Sequence, residues 1–97
     1  MPKKLNPYLI YPLIPVIQLK LGLFRKIVEI GGGTGEQSLP YAFWGGEVKI
    51  IEPNEISCER AANIYRKYGK NVKVINESIF DTDVNNISDS DIVICEG

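Results

Sequence analysis

The stretch Lys26-Ile-Val-Glu-Ile-Gly-Gly-Gly-Thr-Gly-Glu36 decides how the rest of the chain is read. Ile27, Val28 and Ile30 form a short apolar run rich in β-branched residues, and a glycine cluster stops it abruptly. That is the pattern of a buried parallel strand running into a loop. Gly31, Gly33 and Gly35 alternate in a G-x-G-x-G spacing. Residues without a Cβ serve where backbone turns tightly after a strand or lets a ligand come close. Strand, glycine loop and a following helix therefore predict a nucleotide-type cradle. The neighbouring residues narrow the ligand. A phosphate-binding P-loop needs Gly-Lys-Ser/Thr, and Gly35 is followed by Glu36 and Gln37. The dinucleotide fingerprint G-x-G-x-x-G, counted from Gly31, meets Glu36 where its third glycine belongs. An acid at a helix N-terminus also opposes a pyrophosphate. Glu29, two residues before the first glycine, suits a ligand that carries positive charge.

At Glu29, Gly31, Gly33 and Gly35 the sequence resembles the class I S-adenosylmethionine-dependent methyltransferases, whose first motif runs acidic-x-Gly-x-Gly-x-Gly. S-adenosylmethionine has an ammonium and a sulfonium and no phosphate, so a glycine loop flanked by a carboxylate suits it better than a nicotinamide dinucleotide. The resemblance implies a doubly wound, Rossmann-like α/β fold with S-adenosylmethionine as cofactor and methyl transfer as activity. The family's sheet has seven strands in the order 3-2-1-4-5-7-6, and this chain supplies the first four, parallel and in the order 3-2-1-4.

Composition sets outer limits. Ninety-seven residues, 44% of them hydrophobic, allow one small domain, below the usual size of a doubly wound α/β domain. Eleven basic and twelve acidic residues are spread along the chain, so no basic stripe announces nucleic acid. Two cysteines, Cys58 and Cys95, without a Cys-x-x-Cys pair and without any histidine, argue against a structural metal site or a disulfide framework. The commonest general base is missing as well.

Residues 1–24 are expected to form an apolar helical lead-in to the first strand. Pro15 can open that helix and Gly22 close it. Pro12, Pro15, Gln18, Lys20 and Gly22 interrupt an apolar run that barely reaches the ~20 residues of a membrane span. No small-x-small cleavage site follows Lys3 and Lys4. A cytoplasmic location is the expectation. In the family, elements before the first strand cover the substrate side, a place for Tyr8 and Tyr11; plain surface packing of both rings is the alternative.

After the loop, Glu36 to Trp44 reads as the first crossover helix, with Leu39, Ala42, Phe43 and Trp44 turned to the core. Pro40 is tolerated if Ser38 is the N-cap and produces a kink if the helix begins nearer Gly35. Val48, Ile50 and Ile51 form the second strand, which ends on Glu52. There, α/β nucleotide folds place an acid that accepts hydrogen bonds from ribose hydroxyls. The family's second motif implies the same role, while a charge complementing the next helix dipole is the alternative. Asn54 is a plausible N-cap of that next helix. Ile56, Ala61, Ala62, Ile64 and Tyr65 supply its apolar positions, Cys58 is a small packed residue within it, and Gly69 closes it.

Val72, Val74 and Ile75 make the third strand. The resemblance implies an acid just beyond it that accepts from the adenine amino group. Glu77 is the best match, Ile79 its apolar neighbour and Asp81 its rival. The family's usual Gly-Asp is Asn76-Glu77 here. Asp83 to Ser90 is polar and offers little helix, and Ser90 to Cys95 reads as a fourth buried strand ending on Glu96-Gly97. Residues 25–97 are thus expected to be an S-adenosylmethionine-binding half-domain, truncated after the fourth strand. That strand would be an apolar edge open to a partner chain or a second copy. In-line methyl transfer asks chiefly for positioning. Glu96 is the weak candidate for a substrate-side carboxylate, catalytic residues are otherwise unassigned, and the methyl acceptor is not named by the sequence. Two other readings stay open: a non-catalytic S-adenosylmethionine-binding module completed by a partner, and a NAD-type dinucleotide domain.

Overall fold

The computed structural model describes residues 25–95. Strands and helices alternate through them: β1 (Lys26–Ile30), α1 (Leu39–Phe43), β2 (Glu47–Ile51), α2 (Glu55–Lys67), β3 (Val72–Ile75), α3 (Asn85–Ser88) and β4 (Ile92–Cys95). The expected lead-in helix before β1 lies outside the described residues. All strand pairs are parallel, and the sheet order is β3-β2-β1-β4, as the resemblance implies. In register, Ile27 sits opposite Val48 and Ile92, and Glu29 opposite Ile50 and Ile94. Side chains alternate across a strand, so one face carries Ile27, Glu29, Val48 and Ile50. Ala42 of α1 and Ala61 and Tyr65 of α2 pack on the apolar members of that row and form the core.

α2 is capped as its sequence suggests. The Asn54 side chain accepts from the Ser57 N–H at 3.0 Å, Glu55 stands in the first turn and Arg66 and Lys67 in the last. Gly69, at φ +66°, turns the chain out of the helix. Its buried stripe is Cys58, Ala61 and Tyr65. Ile56, expected among the apolar positions, is 62% exposed. Two residues before Cys58 lie about 200° around a helix, on the far side.

α1 is shorter than the expected Glu36–Trp44 span. Ser38 occupies the N-cap position and Pro40 the first turn. A helix begun at Glu36 would need an N–H at residue 40 to bond the Glu36 carbonyl, and proline has none. Phe43, expected in the core, is half exposed. Ala42 faces the sheet, and the next residue points about 100° away. The Phe43 ring instead meets Tyr68 edge to face at 5.6 Å, with the Lys70 ammonium 5.1 Å from its centroid.

β4 also differs from expectation. It begins at Ile92, and none of its residues is fully buried: Ile92 and Ile94 are half-buried on the helix face, while Val93 and Cys95 are exposed. Among the described residues no strand pairs with its outer edge, so only one side of β4 is covered. Its entry is pinned to β1 by Asp91. The Asp91 carboxylate accepts from the Arg25 and Lys26 N–H groups, both at 2.8 Å, and these donors hold it below the usual carboxylate range. Among the described residues no helix is long and apolar enough to cross a membrane.

Candidate cofactor site at the carboxyl ends of the strands

A parallel sheet aims all its carboxyl ends the same way, and there the glycine loop begins. Gly31, Gly33 and Gly35 adopt left-handed backbone at φ +67°, +55° and +77°. The Gly31 N–H bonds the Ile51 carbonyl at 2.8 Å, and the Gly35 N–H closes a turn on the Gly32 carbonyl at 2.9 Å. The glycines do different work. A Cβ on Gly31 or Gly33 would meet nothing within 4 Å, so one side of the loop is open backbone. A Cβ on Gly35 would lie 3.0 Å from Ile50 and 3.2 Å from Ala61, so this glycine seats the loop on the core. Gly32, which the motif does not single out, presses against Glu29: its Cβ would fall 2.7 Å from the carboxylate carbon.

Glu29 and Glu52 end up in different surroundings. Glu29 is wholly buried beneath the loop, and its Oε1 accepts from the Ser38 N–H at 3.2 Å. The carboxylate read as meeting a cationic ligand is therefore placed against the loop's own backbone, because the odd-numbered residues of β1 point to the helix-covered face. Glu52, at the end of β2, is 7% exposed. Its Oε1 accepts from the Gly33 N–H at 3.0 Å and its Oε2 from the Asn54 N–H at 2.7 Å. One oxygen thus addresses the glycine loop and the other the start of α2. Its backbone carbonyl accepts from Cys58 Sγ at 3.2 Å and Asn76 Nδ2 at 3.1 Å. Asn76 also reaches the Pro53 carbonyl at 2.9 Å, so the loops after β1, β2 and β3 meet at Glu52. Burial, together with the Glu52 charge, pushes the Cys58 thiol up.

Two residues that sequence reading did not assign to the site join it from below. Ser38 and Tyr65 are fully buried, with Ser38 Oγ 2.7 Å from the Tyr65 hydroxyl and 3.2 Å from the Gly35 carbonyl. Burial, aided by the Glu29 charge and opposed by the Ser38 hydrogen bond, pushes the Tyr65 phenol up to about 12. Tyr65 reads in sequence as one more apolar helix position. No local spacing signals that its hydroxyl meets Ser38.

Glu77, Ile79 and Asp81 follow β3 at the same end of the sheet. Glu77 and Asp81 are exposed and Ile79 is half-buried. The Glu77 N–H bonds the Ile75 carbonyl and the Asp81 N–H the Ser78 carbonyl, both at 3.0 Å. Gly33 and Glu52 are thus in contact, and the three post-β3 candidates stand on the adjoining loop. Cys95, expected to be buried, is exposed beside Ile30, its register partner on β1. Tyr8, Tyr11 and Glu96 lie outside the described residues. Among the described residues, cavities of about 280 and 400 Å³ open toward the amino ends of the strands, the first lined by Lys26, Lys49, Lys73 and Asp89 and the second by Gly45, Gly46 and Lys70. Open α/β sheets take ligands at the carboxyl ends, which sets the candidate site at the loop and Glu52.

The described residues form a parallel Rossmann-like α/β sheet whose fold matches that of solved S-adenosylmethionine-dependent methyltransferases. Two such enzymes of known structure are similar to this chain. The one from Agrobacterium tumefaciens matches with a TM-score of 0.72 at 18% identity, over 92% of this chain and 31% of its own. The one from Clostridium acetobutylicum matches with a TM-score of 0.71 at 14% identity, over 95% of this chain and 37% of its own. The N-terminal domain of EvdMO1 with SAH bound matches with a TM-score of 0.67 at 22% identity, over 84% of this chain and 37% of its own. The chain spans between 31% and 37% of the length of these proteins. No protein-family model and no curated protein sequence matches it.

Proposed function

We propose that the chain is the cofactor-binding half of an S-adenosylmethionine-dependent methyltransferase. The observation that carries this reading is the contact between Glu52 and the Gly33 N–H, which joins the strand-end acid to the open side of the glycine loop. Glu52 offers two carboxylate oxygens to the two ribose hydroxyls, and charge-assisted hydrogen bonds of this kind are the strong ones. Gly31 and Gly33 let the cofactor approach the backbone. Gly35 and Glu29 support the loop from below, with the Glu29 carboxylate adding a negative field under a cationic ligand. Glu77 takes the adenine amino group, with Asp81 as the rival, and Ile79 flanks the ring. Between Gly31 and Ser38 no lysine or arginine stands ready for a phosphate. When bound, the cofactor supplies a methyl group on a sulfonium, and the chain's part is to orient it for in-line transfer.

A specific observation favours a second reading, a binding module completed by another chain: the outer edge of β4, with Val93 and Cys95 exposed, is a ready pairing surface. Calorimetric titration tests the first reading. S-adenosylmethionine and S-adenosylhomocysteine should each bind at one site, and NADH should give no heat. Binding of NADH without either S-adenosyl compound would overturn it. Methyl transfer that appears only on adding a second chain would select the module.

A further inference from the structure

We propose that Tyr65 is a positioning residue for the glycine loop, its hydroxyl holding the Gly35 carbonyl through Ser38. The inference rests on reading the loop as a cofactor cradle. Ser38 Oγ carries one proton, and the Gly35 carbonyl, 3.2 Å away, can only accept. Ser38 therefore donates to Gly35, and at the 2.7 Å contact Tyr65 is the donor. The chain of donors runs one way, from Tyr65 O–H to Ser38 Oγ–H to the Gly35 carbonyl. That carbonyl also accepts from the Leu39 N–H at 3.2 Å, so it marks the point where the loop ends and α1 begins. Ser38 is tied to β1 too, through its N–H on Glu29.

The same residue supports the loop sterically. A Cβ on Gly35 would come 3.3 Å from the Tyr65 ring, so the ring is the floor on which the loop rests. Tyr65 and Ser38 are completely buried. They lie on the side away from the Cβ-free backbone of Gly31 and Gly33, and so act on a ligand only through the height and rigidity of the loop. Water has no access to replace the lost hydroxyl, so its removal leaves Ser38 Oγ short of a donor.

Tyr65→Phe removes one oxygen and keeps the ring. The variant should bind S-adenosylhomocysteine about two- to tenfold more weakly in calorimetry, with the whole strength of the buried hydrogen bond as the upper bound, because only the part that holds the loop in shape reaches the affinity. Its Gly33 and Gly35 amides should exchange with solvent faster by a similar factor, while those of Ile50 and Ile51 keep the wild-type rate. Ser38→Ala should produce the same loss, and the double variant no more than either single one, because both break one chain. Wild-type affinity together with wild-type loop exchange in Tyr65→Phe would overturn the proposal. Equal acceleration at Ile50, Ile51 and the loop would also overturn it, by making the phenol a general core contact. If the wild type takes no S-adenosylhomocysteine, the cofactor reading fails, and loop-selective exchange still decides the role of Tyr65.

Discussion

The two ends of the sheet differ in charge and in what their glycines do. Toward the carboxyl ends of the strands stand Glu29, Glu36, Glu52, Glu55, Glu77 and Asp81; toward the amino ends stand Arg25, Lys26, Lys70 and Lys73, with Arg66 and Lys67 in the last turn of α2, alongside the acids Glu47, Asp89 and Asp91. A net charge of −1 conceals this polarity. It follows from parallel topology: when each helix starts where a strand ends, acids that suit helix starts and bases that suit helix ends collect at opposite poles. Cations at the amino end find local partners, such as Asp89 at 2.9 Å from Lys26 and the Asn86 carbonyl at 3.0 Å from Lys49. At the carboxyl end, Glu29 and Glu52 instead hold the backbone of the loop. The lesson is that the pole with the open glycine loop is also the pole where acidic side chains outnumber basic ones.

Glycine substitution should separate the poles most strongly. Gly35→Ala adds a Cβ against Ile50 and Ala61 at a positive φ, and should cost about 2–4 kcal/mol from crowding and strain together. Gly45, after α1, has a φ of +94° with open space around it, so Gly45→Ala should cost only about 1–2 kcal/mol. Denaturant unfolding measures both, and equal losses would remove the distinction between a seated loop and a simple turn.

Glu52→Ala should weaken binding of S-adenosylhomocysteine by about ten- to a hundredfold, with Glu52→Asp losing less. Lys73→Ala, at the other pole, should leave affinity unchanged. An analogue without the two ribose hydroxyls should bind the wild type poorly and should not distinguish Glu52→Ala from the wild type. If the analogue binds the wild type as well as the natural ligand does, Glu52 is a helix-start charge and no more.

The smallest effect belongs to Asp91 at the amino end. Its folded carboxyl titrates below the ordinary 3.8, so its stabilising contribution is present above that value and is lost as pH falls through the lowered one. The melting temperature of Asp91→Asn should therefore lie slightly below wild type near neutral pH, and the gap should close on acidification below 3.8. A gap that persists in acid would mean that the carboxylate's charge is not what anchors β4 to β1.

What was legible in sequence follows the range of the interaction involved. β1 and the turn after it are readable because β-branched residues and alternating glycines act over a few neighbours. The end of β2 on Glu52 and the cap at Asn54 are readable for the same reason. Phe43 and Ile56 were misplaced because the buried stripe of a helix depends on its phase, which Pro40 shifts in α1 and the contact with the sheet sets in α2. The existence of β4 could be read, but its burial could not, since an edge strand is covered only by what stands beside it.

By itself, the sequence determined an α/β chain with a glycine turn after its first strand and an acid after its second, because strand propensity, turn geometry and capping are local. The tertiary structure alone decided that Glu29 lies under the loop, that Glu52 meets the Gly33 N–H and that Tyr65 reaches Ser38. Those contacts join residues far apart in the chain, and only the order β3-β2-β1-β4 and the packing of α2 on its face bring them within hydrogen-bond distance.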